Sequence, residues 1–231
     1  MRCMILKSML FMLMAPSALC AESLTLATVE WPPFYGHNLH QKGYVYAVSK
    51  EAFRRAGYDI TVVFLPWKRA LELTRMGKYD GLLGVYYTES RVSDFVFSDT
   101  ILKTREVFYF RSSKHNNYQS LQDLRGKVIG GLRGTAPLED LKDYKLDIII
   151  NDITDEERGI LQLHAKRIDL MLINIERFNY LMASSPSILA IKDNLKLSQL
   201  DFDTYSLHCA ILRLKENSKS IIKRYNKELK K

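Results

Sequence analysis

The stretch Asp80-Gly-Leu-Leu-Gly-Val-Tyr-Tyr-Thr88-Glu-Ser-Arg91, followed by Phe97-Ser98, decides the fold. Its apolar run reads as a buried strand, and the polar turn after it presents a single arginine. A guanidinium in that position matches a ligand carboxylate in shape and charge, and meets it with two parallel, charge-assisted hydrogen bonds. The alternative is a surface ion pair of Arg91 with Glu89 or Asp94, which contributes little.

On the N-terminal side of this strand, apolar runs alternate with amphipathic stretches. Leu24 to Val29 predicts a strand, Tyr44 to Ala56 a helix closed by Gly57, and Ile60 to Leu65 a second strand. Pro66 opens a helix through Met76 that Gly77 ends, and Asp80 to Val85 is the third strand. The rhythm restarts after residue 112: a capped helix at Ser120 to Leu124, strands at Lys127 to Gly131, Ile148 to Ile150 and Leu170 to Ile173. Helices are expected at Pro137 to Tyr144, at Thr154 to Ala165 with the capping pattern Thr154-Asp-Glu-Glu157, and at Ile175 to Ala183. Alternation of this kind implies α/β units with sheets flanked by helices.

Two such units share the chain, separated by the polar stretch 111–117 that follows the strand Glu106 to Phe110. The strand Leu207 to Leu212 resembles that one in length and composition. Both are expected to cross between two lobes, residues 22–110 plus 207–231 forming the first and residues 111–206 the second. The final helix, Ser218 to Leu229, would then pack back on the first lobe. Two lobes joined by a pair of strands form a ligand cleft that closes by a hinge motion.

The N-terminus has the layout of a secretory signal peptide: Arg2 and Lys7, an apolar core from Met9 to Met14, and a small-residue exit ending at Ala21. The core is too short to span a bilayer. A lipoprotein site at Cys20 is the competing reading, with Leu19 where a small residue would be wanted. Cleavage after residue 21 predicts a periplasmic protein that keeps Cys209 alone, so its fold must rest on its core and not on a disulfide. The five histidines have no paired spacing with cysteine or carboxylate, which argues against zinc or haem, and no cofactor or metal is expected. The formal charge of +8 falls to about +6 without Arg2 and Lys7, and much of the excess lies on the last helix. An exported chain without a basic-aromatic motif is a poor nucleic-acid partner.

Taken in order, these residues carry a resemblance to the bacterial extracellular solute-binding proteins of family 3, the periplasmic amino-acid-binding type, over essentially the whole mature sequence. Thr88-Glu-Ser-Arg91 with Phe97-Ser98 is similar to the family's Thr-Pro-Glu-Arg followed by Asp-Phe-Ser. Trp31-Pro-Pro-Phe34, Gly130-Gly-Leu-Arg-Gly134-Thr135 and Arg167-Ile-Asp169 support it. The resemblance implies a two-lobed, type II periplasmic binding-protein fold. It also implies that Arg91 binds an α-carboxylate, with the Gly134-Thr135 turn facing that group from the other lobe. Backbone N–H groups at a turn leading into a helix do favour an anion; Thr135 as the cap of the helix at Pro137 is the other role open to it.

By the same resemblance, Trp31 and Phe34 match aromatic wall positions and Trp67 matches an apolar pocket residue, although a core role is the usual fate of tryptophan. Tyr86 stands where many members have a small hydroxyl residue, and either supplies a hydrogen bond or fills the space. Asn174 stands where amino-acid-binding members place the Asp that meets the ligand's ammonium group; an amide accepts a hydrogen bond from ammonium but brings no charge.

The expected function is therefore capture of a small carboxylate-bearing solute by a monomer that delivers it to an inner-membrane ABC permease or a sensor. An enzyme reading on the same fold is a dehydratase of cyclic carboxylates with Glu30 as the acid, if its pKa were raised. A stand-alone ligand sensor is the third reading.

Overall fold

The computed structural model describes residues 21–113 and 118–231. The signal-peptide reading, with Cys3 and Cys20, falls on residues 1–20 and lies outside them, as does part of the predicted break at 111–117. In chain order the elements are β1 (Glu22–Thr28), α1 (Tyr44–Arg55), β2 (Tyr58–Phe64), α2 (Trp67–Arg75), β3 (Gly81–Tyr86), α3 (Glu89–Val92), β4 (Phe95–Phe97) and β5 (Leu102–Arg111). Then come β6 (Val128–Leu132), α4 (Ala136–Asp143), β7 (Ile149–Ile153), α5 (Glu156–His164), β8 (Leu170–Asn174), α6 (Ile175–Ser184), α7 (Pro186–Leu189), β9 (Leu195–Leu212) and α8 (Ser218–Leu229).

The strands form one mixed sheet in the order β2-β1-β3-β9-β5-β8-β6-β7, with β4 pairing β9 beside it. Parallel ladders β2-β1-β3 and β8-β6-β7 lie at its two ends. Between them run the antiparallel strands β5 and β9, paired from Leu102↔Leu207 to Arg111↔Leu195.

β9 is far longer than the Leu207 to Leu212 strand expected from sequence. Its first part, LKLSQLDFDTYS, alternates irregularly between buried and exposed, because it is covered only in part while it runs beside β5. Beyond Leu207 it is buried at every position, where it enters between β3 and β4. That contrast explains why only its last third carries an apolar signal.

Apolar periodicity places a core on each side of the paired strands. One gathers Leu24, Leu26, Val45, Phe53, Leu83, Ile221 and Tyr225 from β1, α1, β3 and α8. Another gathers Ile153, Ile160, Leu163, Met171, Ile173 and Phe178 from β7, α5, β8 and α6. Each fully buried side chain of this size contributes on the order of 2 kcal/mol. The closing helix α8 packs on α1, with the Phe53 and Tyr225 rings 4.3 Å apart and the Arg224 guanidinium 4.9 Å over the Tyr58 ring.

Local signals hold with small shifts. Gly57 and Gly77 end α1 and α2 at positive φ, as their positions suggest. The cap of α5 is Asp155, whose carboxylate accepts from the Arg158 N–H at 2.8 Å; Thr154, the predicted cap, lies one residue outside. Among the described residues no helix is long and apolar enough to cross a membrane.

Candidate functional site

The C-terminal end of β3 turns through Tyr87 and Thr88 into the single turn α3, which carries Arg91 inward. Arg91 is only 1% exposed, and so is the largest of the fully buried side chains. Its Nη1 donates to the Tyr86 carbonyl at 3.1 Å and its Nη2 to the Gly134 carbonyl at 3.2 Å. Nη2 also stands 3.6 Å from the Glu139 carboxylate on α4, so the surface pair with Glu89 or Asp94 is not the arrangement adopted. Nε is buried and has no hydrogen-bond partner among the described residues. Burial pushes the guanidinium below its ordinary pKa, and Glu139 opposes that shift. A buried cation with an unused donor is costly unless an acceptor reaches it.

The Gly134 carbonyl is a junction between the two ends of the sheet. It also accepts from the Trp67 indole N–H at 2.7 Å, and the Arg91 guanidinium lies 5.7 Å over the Trp67 ring. Gly134 adopts φ +78°, a conformation that favours glycine, and leads directly into α4. The helix begins at Ala136, not Pro137. Thr135 is its N-cap residue, yet the hydroxyl turns back to donate to the Leu132 carbonyl at 2.7 Å and makes no capping bond to the helix.

These groups line a narrow cavity, part of it open to solvent. Its wall includes Trp31, Tyr35, Trp67, Tyr86, Arg91, Thr135, Glu106 and Glu156. The Trp31-Pro-Pro-Phe34 turn closes through the Trp31–Tyr35 bridge, which stacks Trp31 on Phe34 at 4.3 Å and sets it edge-on to Tyr86 at 5.9 Å. Tyr35 reaches across to donate to the Gly84 carbonyl at 3.0 Å. Gly84 sits at a register shift of β3 with φ +70°, and a Cβ there would come within 2.4 Å of the Tyr35 ring, so this strand position excludes larger residues.

Five of the seven residues expected at the site, Trp31, Trp67, Tyr86, Arg91 and Thr135, meet on this one cavity. Phe34 does not line it and instead backs Trp31 from behind, fully buried. Asn174 does not line it either. It caps α6, with Oδ1 accepting from the Arg177 N–H at 3.0 Å and Nδ2 donating to the Arg105 carbonyl at 3.3 Å. Glu30 lies on a neighbouring groove that shares Val29, Leu132 and Glu156 with the cavity; its half-exposed carboxylate pairs with His37. It therefore lacks the enclosed setting that the enzyme reading requires.

Two buried acids on the cavity wall escape the sequence reading. Glu156, the first residue of α5, pairs with Arg177 at 2.8 Å, and burial still raises its pKa. Arg177 in turn donates to the Pro32 carbonyl at 3.3 Å, a further bond across the cavity beside those from Arg91 and Trp67 to Gly134. Glu106, on β5, accepts from the Tyr86 phenol at 2.8 Å, and burial pushes its pKa up to about 8. The signal available for Glu106 was one carboxylate heading the apolar run Val107-Phe-Tyr-Phe110. Among the described residues no group of three or more His, Cys, Asp or Glu side chains forms a metal site.

No curated protein matches the chain. The arginine-bound form of truncated ArgBP from T. maritima superposes with a TM-score of 0.74 at 19% identity, covering 92% of this chain and 97% of that one. The GluR0 ligand-binding core from Nostoc punctiforme in complex with L-glutamate gives 0.72 at 17% identity, covering 89% and 91%. AbpA from Streptococcus pneumoniae, an amino acid ABC transporter substrate-binding protein bound to L-arginine, gives 0.74 at 19% identity, covering 90% and 87%. These likenesses establish the α/β, two-lobed type II binding-protein fold. Residues 24–231 match the family profile of the bacterial extracellular solute-binding proteins, family 3. The chain belongs to that family.

Proposed function

We propose that the protein is a periplasmic binding protein that captures a small carboxylate-bearing solute by hinge closure, with Arg91 meeting the carboxylate. The observation that carries this reading is a fully buried arginine that lines an aromatic cavity and whose Nε has no hydrogen-bond partner among the described residues. Thr135 and the first turn of α4 supply further N–H groups, and Trp31, Trp67 and Tyr86 hold the rest of the ligand by packing. Residues 22–110 with 207–231, and residues 111–206, would be the two lobes that close on it. The bonds from Trp67 and Arg91 to Gly134, and from Arg177 to Pro32, join them across the cavity.

A monomer acting as the extracytoplasmic component of an ABC importer fits the family. That structures on the same fold hold L-arginine and L-glutamate makes amino acids the first ligands to try. We read the chain as a binding protein and not an enzyme, because Glu30 is paired with His37 outside the cavity.

The test is a thermal-shift screen of residues 22–231 against amino acids and other organic acids, each beside its primary amide. A carboxylate that binds the native state raises the melting temperature with the logarithm of its concentration. The expected result is at least one carboxylate that shifts the transition while its amide does not. Shifts by amides and acids alike would remove Arg91 from its role.

A further inference from the structure

The last helix has an exposed face that the ligand cavity does not use. α8 buries Ile221, Ile222 and Tyr225 in the core that includes α1, and none of its residues lines the cavity. Five of its cations, Lys219, Lys223, Arg224, Lys227 and Lys230, border one surface groove with a single carboxylate, Asp99. Two of the five are engaged: Lys230 pairs with Asp99 at 2.8 Å, and Arg224 donates to the Tyr58 phenol at 3.1 Å. Lys219, Lys223 and Lys227 are exposed and have no ion pair among the described residues; Glu228, the neighbouring acid, pairs with Lys231.

These three lysines are four residues apart, so they form one row along the helix, about 12 Å from first to last. Within the helix that row is unfavourable. Like charges at i and i+4 repel. Lys219 also lies in a first turn that has no acidic residue, where the helix dipole disfavours a cation. No carboxylate among the described residues pairs with the row to offset either repulsion. An anion from outside relieves both.

The composition of the face selects among anions. No large apolar side chain of α8 is exposed. A specific protein interface is built around an apolar centre, and single-stranded nucleic acid is held by aromatic side chains that stack on its bases. The face has neither. It offers charge along a line, which suits a fluid array of phosphates and needs no matching shape.

We propose that the Lys219-Lys223-Lys227 face docks the protein on a membrane surface rich in anionic phospholipid headgroups and leaves the ligand cavity free. The choice of a membrane rests on the reading of the chain as an extracytoplasmic partner of a membrane importer. Attraction of lysines to such a surface fades within a Debye length, so docking is salt-sensitive.

In the test, residues 22–231 are sedimented with phosphatidylcholine vesicles, with and without about 30% phosphatidylglycerol, at about 50 and about 300 mM salt. At low salt, binding to the anionic vesicles is expected to be at least about tenfold stronger than to the neutral ones, and high salt should abolish the difference. The triple variant Lys219→Gln, Lys223→Gln, Lys227→Gln should lose the preference. A second triple variant, Lys166→Gln, Lys192→Gln, Lys196→Gln, removes the same charge from exposed positions elsewhere and should keep it. The salt response of the unaltered protein is read whether or not either variant folds.

Equal binding to the two kinds of vesicle, a preference that survives high salt or the α8 substitutions, or equal loss in both variants would each overturn the proposal. So would tighter binding to a DNA duplex at the same phosphate concentration. Ligand-induced thermal shifts should be unchanged in the α8 variant. Failure on vesicles therefore leaves the carboxylate reading standing, and a failed ligand screen leaves the vesicle result intact.

Discussion

Arg91 and Arg111 are both buried arginines, one on the turn after β3 and one at the end of the central strand β5, and they are used in opposite ways. Arg111, the last residue of β5, donates through Nη1 to the carbonyls of Leu163 at 2.7 Å and Ile168 at 2.5 Å, and its Nη2 stands 3.5 Å from Asp169. Those partners close the C-terminal end of α5 and the start of β8, so the side chain is absorbed into packing. Arg91 donates to two carbonyls at 3.1 and 3.2 Å, one of them across the cavity, and keeps Nε unused. Burial alone therefore does not distinguish the two arginines; the unused Nε of Arg91 and the cavity that Arg91 lines do. The acids follow the same division, Asp169 facing Arg111 and accepting from the Val128 N–H at 3.0 Å, and Glu106 having only neutral partners.

Substitutions that remove each group turn this contrast into numbers. The largest effect is expected at Arg111. Arg111→Met takes a buried donor away from the Leu163 and Ile168 carbonyls and the cation away from Asp169, which keeps the Val128 N–H, and should cost about 3 kcal/mol in urea unfolding. Ligand-induced shifts should survive in whatever fraction still folds.

Next comes the pH dependence contributed by Glu106. Its folded pKa of about 8 lies above the unfolded carboxylate value, so the folded state holds a proton that the unfolded chain has lost. Stability from this group is complete below the unfolded value and declines as pH rises through about 8, by at most about 1.4 kcal/mol per pH unit for one proton. Unfolding measured at pH 6 and pH 8 should show that decline, and Glu106→Gln should flatten it.

A smaller loss, about 1 kcal/mol, is expected for Trp67→Phe, which deletes one hydrogen bond to Gly134 and keeps most of the ring contact. Smallest is the stability change for Arg91→Met, under about 1 kcal/mol, because a desolvated cation is removed and Trp67 still serves the Gly134 carbonyl. A large loss of stability at Arg91 would erase its difference from Arg111.

The parts of this division that were legible in sequence are those that are contiguous. Arg91 follows its strand by five residues, so strand-turn reasoning reached it, while Trp31 and Thr135 sit in short motifs at strand ends that carried the family resemblance. Trp67 stood open between pocket and core, and it serves both: it is buried and also lines the cavity. Glu106 and Glu156 were not reached, because what makes them cavity residues is long-range pairing: β5 against β8 and β9, and α5 against α6. Asn174 was read by position in a motif, whereas its side chain is committed to capping α6. The same physics hid most of β9, whose half-covered first part has no period to read.

The most direct test of Arg91 as the carboxylate receptor is a titration of the strongest carboxylate from the thermal-shift screen into the unaltered protein and Arg91→Met, side by side. Loss of a charge-assisted pair should weaken binding by more than about 1.5 kcal/mol, or more than tenfold, in a variant whose melting temperature is little changed. Equal affinity in the two folded proteins would contradict it.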